Sequence, residues 1–125
     1  MVVDTSILLA IFFNEKKGVW AADQLQVHAL SLRMSTVNLA ETLILVQDKQ
    51  PQIFEEIRET ILNSSIRFVP PTVRQAEMAS KARLLFPINL GDCFAYALAK
   101  DEGCPILTMD KAFRKTDIHV VLPSS

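Results

Sequence analysis

The sequence predicts an α/β fold, a three-layer arrangement with a central, mainly parallel sheet covered by helices. Three observations carry this. Short apolar runs of strand length alternate with longer stretches of helical period along almost the whole chain. The first two runs hand over directly to helical stretches, as parallel crossovers require. Half of the residues are apolar and only 3 are glycine, which supplies material for a core on both faces of a sheet. At 125 residues, the stretch 1–125 reads as a single domain. A chain of that size buries roughly two-thirds of the surface exposed by its unfolded form.

Met1-Val2-Val3 is the first strand, and the period changes at Asp4-Thr5-Ser6. Ile7, Leu8, Ile11 and Phe12 then recur at helical spacing. Lys17 to Leu30 suits a second helix with Val19, Trp20, Ala22, Leu25 and Val27 as its apolar members. Leu32 to Thr36 is a strand, followed at once by a helix over Val37 to Lys49. Pro51 opens another helix, since proline is tolerated in a first turn, and Ile53, Phe54, Ile57, Ile61 and Leu62 give it one apolar face. Ile66 to Val69 alternates as a strand and is stopped by Pro70-Pro71. Thr72 caps a helix to about Leu85. Gly91-Asp92 opens a helix through Lys100, closed by Gly103. Pro105 to Met109 is a strand, Asp110 to Arg114 a short turn or helix, and Ile118 to Leu122 the last strand.

Totals exclude several classes. A formal net charge of −1 argues against a broad electrostatic binder of nucleic acid, though not against an enzyme that grips a few phosphates. Cys93 and Cys104 lack any CxxC or Cys/His spacing, which disfavours structural zinc. The strongest apolar stretch, Ile7 to Phe13, is too short to span a bilayer and lacks the flanks of a signal peptide. A cytoplasmic protein with reduced thiols and no membrane partner is the expectation.

Candidate chemistry resides in carboxylates. Ligands of parallel α/β sheets gather at the carboxyl ends of strands, where Asp4 and Asp110 fall. Each also suits a turn or cap, and Asp92 suits a first helical turn, where an acid complements the dipole. Glu41 lies in Leu39 to Val46, a helix apolar on most sides; it either faces solvent beside Asp48 or is a carboxylate near a core that needs a partner. Asn38, one turn earlier, is placed to orient Glu41 by a hydrogen bond. Converging carboxylates repel one another, and a hard divalent cation, Mg²⁺ or Mn²⁺, relieves that repulsion while activating water.

Val3-Asp4-Thr5-Ser6, Asn38-Leu39-Ala40-Glu41, the segment Leu90 to Ala99 led by Gly91-Asp92, and Leu107 to Phe113 together resemble the PIN domain. More narrowly, they look like the VapC-type toxins of toxin–antitoxin pairs, over nearly the whole chain and in order. The resemblance implies a PIN-like sandwich and an endoribonuclease using Mg²⁺ or Mn²⁺, homodimeric and silenced by a small antitoxin. It matches Asp4, Glu41 and Asp92 to three core acids and Asp110 to a fourth, with Asp117 as a competitor. Ser6 matches a hydroxyl supporting the first aspartate, and Thr108 supports the site from its strand. It further implies Asp4 and Asp92 as ligands of the ion and Glu41 as ligand or water-orienting base. Water attacks the phosphorus in line, leaving a 5′-phosphate and a 3′-hydroxyl. Lys111, Arg114 and Lys115 follow the fourth acid closely and either form an ordinary solvated turn or meet flanking phosphates. Trp20 and Tyr96 are candidates for stacking on bases, although Trp20 at helical spacing better suits core or a dimer surface, while His28 and His119 have no evident partner. The apolar stretch Ile7 to Phe13 and the Ile53 to Leu62 face exceed what a small sheet needs, which fits a dimer or an antitoxin groove.

Two rival classes are disfavoured by particular residues. A phosphoacceptor receiver wants acids beside Asp4 and a mid-chain aspartate after Ile66 to Val69, where prolines stand. A dehalogenase-type phosphatase wants an aspartate at Ser6. A PIN-fold binding module acting through protein contacts, with weak or no metal binding, is the remaining alternative.

Overall fold

The computed structural model describes residues 1–124. Among these residues five strands form one sheet in the order β3-β2-β1-β4-β5, with every neighbouring pair parallel. They are β1 (Val2–Val3), β2 (Arg33–Ser35), β3 (Arg67–Val69), β4 (Ile106–Leu107) and β5 (Val120–Val121). Six α-helices connect them: α1 (Thr5–Phe12), α2 (Gly18–Val27), α3 (Thr36–Lys49), α4 (Phe54–Leu62), α5 (Val73–Leu85) and α6 (Leu90–Glu102). The expected alternation is therefore present, with a wholly parallel sheet. The strands are shorter than the apolar runs from which they were read, and short 3₁₀ turns at Ala29–Ser31, Pro51–Ile53 and Lys111–Lys115 fill places expected to be helical.

Strand side chains alternate across the sheet, and this divides the core. Val3, Met34 and Leu107 pack with Ile7, Leu8, Ala21, Val46, Ile57 and Ile61 on one face. Val2 and Ile106 pack with Ala79, Ala82, Ala95, Leu98 and Phe113 on the other. Trp20 is partly buried against the first of these clusters. Tyr96 is buried, tilted against Phe86 with ring centroids 5.4 Å apart, so its ring is not presented to a base.

The chain order creates a crevice. From β1 the chain winds outward through β2 and β3, then crosses back to β4 on the other side of β1. Between β1 and β4 the successive crossovers leave in opposite directions, and a parallel sheet opens at its carboxyl edge at such a point. Asp4 directly follows β1, Thr108 and Asp110 follow β4, and Ser35 at the end of β2 starts α3.

Candidate active site

Asp4 caps α1, with one carboxylate oxygen accepting from the Ser6 backbone N–H. That oxygen, Oδ2, also accepts from the Ser6 hydroxyl at 2.7 Å and the Thr108 hydroxyl at 2.8 Å. The two hydroxyls are 3.2 Å apart and accept in turn from backbone: Met109 N–H on Ser6 and Asp110 N–H on Thr108. The supporting roles expected of Ser6 and Thr108 thus have a geometric basis, joining β1 to β4.

The other oxygen, Oδ1, is buried and has no hydrogen-bond partner, in a residue only 2% exposed. Burial pushes the Asp4 carboxyl above its usual range, against the pull of the Ser6 and Thr108 hydrogen bonds, and the charge of Glu41 adds to the rise. Asp92 is pushed up to about 7, first by burial, then by the charge of Asp4, with Asp110 and Glu41 contributing. Asp92 thus feels the charges of Asp4, Asp110 and Glu41, and Asp4 that of Glu41, so four acids distant in sequence lie within electrostatic reach.

Each of the other three is tethered differently. Asp92 forms a capping box with Asn89 at the start of α6: the Asp92 N–H donates to Asn89 Oδ1 and the Asn89 N–H to Asp92 Oδ2. Asp110 caps the 3₁₀ turn at Lys111–Lys115 by accepting from the Ala112 N–H. Glu41, half-buried, accepts from the Thr5 hydroxyl at 2.5 Å. Asn38 does not bond Glu41 as expected from its position one turn earlier. Its amide donates instead to the Thr5 hydroxyl and the Gly91 carbonyl, because α3 buries it completely against α1 and α6.

Asp117 lies elsewhere. Its carboxylate accepts from the Tyr96 hydroxyl at 2.6 Å and from Lys100 at 2.8 Å, and these contacts hold it below the usual range. Lys100 stands eight residues after Asp92 on α6, about 12 Å along the helix. Of the two candidates for the fourth acid, Asp110 directly follows β4, while Asp117 is held by Tyr96 and Lys100 on α6. Lys111, Arg114 and Lys115 are exposed beside Asp110. Sequence reasoning assigned no contact to Asn89, Thr5 or Gly91; the Asn89-Leu90-Gly91-Asp92 spacing carried a capping-box signal, while Thr5 and Gly91 stood only as members of the motifs around Asp4 and Asp92.

The donor set fits a hard divalent cation: oxygen atoms alone, excess negative charge, and a buried carboxylate oxygen on Asp4 with no proton donor to meet it. Among the described residues no three acidic, histidine or cysteine side chains stand drawn together as a cage. Ligation therefore calls for adjustment of side chains.

A parallel five-stranded sheet with acids following the strands at its switch point defines a class, and comparison identifies it. The family model described as PIN domain matches residues 1–119, and the chain belongs to that family. A relative from Mycolicibacterium smegmatis, Ribonuclease VapC, is 34% identical over 134 residues, covering 97% of this chain and 99% of that protein. The crystal structure of Mycobacterium tuberculosis VapC20, a Sarcin-Ricin loop cleaving toxin, matches with a TM-score of 0.83 at 18% identity over 98% of each chain. A toxin-antitoxin complex from Klebsiella pneumoniae contains a chain that matches with a TM-score of 0.78 at 20% identity, over 98% of this chain and 97% of that one. At those identities the structural matches speak for the fold alone.

Proposed function

We propose that this chain is an endoribonuclease, the toxin of a type II toxin–antitoxin pair, hydrolysing RNA phosphodiester bonds with Mg²⁺ or Mn²⁺ at Asp4, Glu41, Asp92 and Asp110. The observation that carries this reading is the buried, unpartnered Oδ1 of Asp4 among three further acids. The VapC ribonuclease relative, matched over nearly the full length of both chains, supports the activity.

In the reaction, Ser6 and Thr108 saturate Oδ2 of Asp4 and so leave Oδ1 as the free acceptor of that carboxylate. When bound, the cation supplies neutralisation of the acids, activation of water and stabilisation of the leaving oxygen. Lys111, Arg114 and Lys115 bind phosphates on either side of the scissile one. Glu41 orients water or completes the ligand set from α3.

The partners follow from surfaces. An apolar groove lined by Leu8, Ile11, Phe12, Leu25, Ile61 and Ile66 joins α1, α2 and α4, and we assign it to the antitoxin. Leu90 borders two further apolar depressions, one with Leu84 and one with Ile44, and all three side chains are exposed; this edge we assign to a second copy of the chain. No helix among the described residues is long and apolar enough to cross a membrane. A cytoplasmic location fits the two free cysteines.

The uncaged arrangement of the acids favours a second reading, a PIN-fold binding module that holds no metal. Calorimetric titration of Mn²⁺ into the metal-free protein decides between them. Specific binding that disappears in the Asp4→Asn/Asp92→Asn double variant is expected. Wild-type protein that takes up no Mn²⁺ would leave the binding module as the better account.

A further inference from the structure

The Glu41 carboxylate rests against the first turn of α6 at a place without a side chain. A Cβ on Gly91 would stand 2.6 Å from Glu41 Oε2 and 2.7 Å from Oε1, closer than such contacts occur. The same carboxylate accepts from the Thr5 hydroxyl at 2.5 Å. Thr5 is buried, its hydroxyl receives the Asn38 amide at 3.3 Å, and its single proton lies much nearer Glu41, at 2.5 Å, than its other acceptor, the Asn38 carbonyl at 3.3 Å. Asn38 also donates to the Gly91 carbonyl at 2.9 Å, which ties α3 to the very residue that makes room. One amide thereby fixes both walls around Glu41: the donor on α1 and the bare backbone on α6.

We infer that Thr5 and Gly91 are positioning residues that hold the Glu41 carboxylate in place for metal binding, Thr5 by donation and Gly91 by the absence of a Cβ. The inference rests on the metal reading proposed above and deepens it. Asp92 and Asp110 are each tethered by a single backbone N–H, so they are the acids free to adjust around a Glu41 that is already set. Gly91 has ordinary helical backbone, and its glycine is explained by the approach of Glu41 rather than by chain geometry. Alanine there improves helix propensity, so displacement of Glu41 and loss of stability are separable effects.

The test is Mn²⁺ titration by calorimetry beside thermal denaturation of the metal-free proteins. Gly91→Ala is expected to weaken Mn²⁺ binding about 10–100-fold, the range for supporting residues of metal ligands, while its melting temperature holds or rises. Thr5→Val is expected to weaken binding to a similar degree, and Thr5→Ser to restore most of it. In a Glu41→Ala background, where the clash and the acceptor are both gone, Gly91→Ala should change the affinity less than twofold. Wild-type affinity in Gly91→Ala, or effects of Glu41→Ala and Gly91→Ala that multiply, would overturn the inference alone. A wild type that binds no Mn²⁺ would overturn the metal reading and this inference with it.

Discussion

At the scale of single residues, burial and charge set the behaviour of the pocket. Asp92 ionises near 3.8 in an unfolded chain and at about 7 in the folded one. Well below pH 3.8 both forms are protonated, and the group contributes no dependence. As pH rises from about 4 to 7 the unfolded chain ionises first, so the metal-free protein loses stability over that window, and the full penalty stands above it. Asp92→Asn retains an acceptor for the Asn89 N–H and removes the charge. It should stabilise the metal-free protein by about 1–2 kcal/mol at pH 8, less than the full shift implies because the carboxyl, 9% exposed, keeps a little contact with solvent. Differential scanning calorimetry should show a rise of about 3–8 °C at pH 8 and little at pH 4. The same substitution, or Asp4→Asn, should lower RNA cleavage by more than about 100-fold, since each removes a ligand of the proposed site outright. Asp117→Asn should leave cleavage within about twofold because its partners are Tyr96 and Lys100, and Asp110→Asn should impair it strongly; a gel assay on total RNA compares the two.

At the scale of elements, α6 matters most, since one helix links the pocket to the second core. Its first turn carries Asp92 and Gly91, its buried face Ala95, Tyr96, Leu98 and Ala99, and Gly103 ends it with a φ of 64°. The Asn89 cap sets where that helix begins and so where Asp92 stands. Asn89→Ala should cost about 1 kcal/mol in urea unfolding, as lost caps do, and should also reduce Mn²⁺ affinity by loosening Asp92. Asn89→Asp, which keeps the acceptor, should recover the stability. Equal losses in both variants would show that the capping oxygen is not what holds the turn.

At the scale of the whole molecule, the pocket is a seam between pieces that would otherwise part. Asp4 and Thr108 are 104 residues apart in sequence, and the hydrogen bond between them closes β1 on β4. The acids around that seam repel each other, so an ion that binds only the folded chain should stabilise it by mass action. Mn²⁺ at about 100 times its dissociation constant should add about 2.7 kcal/mol to unfolding, and the Asp4→Asn/Asp92→Asn double variant with the same Mn²⁺ should show no gain. A gain in that variant equal to wild type would place the binding outside the pocket.

The sequence by itself determined the class of fold, the order of strands and helices, and the handover at Asp4, where a strand-length run gives way to helical period. It also placed Thr72 and Gly103 at helix ends. These depend on residues within about four positions, the range over which backbone hydrogen bonds and caps act. The resemblance of four short motifs marked Asp4, Glu41, Asp92 and Asp110. Tertiary structure alone decided how those acids are held. It gave Asn38 to Thr5 and Gly91 rather than to Glu41, buried Tyr96 away from any base, and carried Asp117 to the far half of α6. It also made Gly91 matter, through a contact with a residue 50 positions earlier. Such contacts form only when α1, α3 and α6 converge on the sheet, and no local pattern encodes which side chain reaches across.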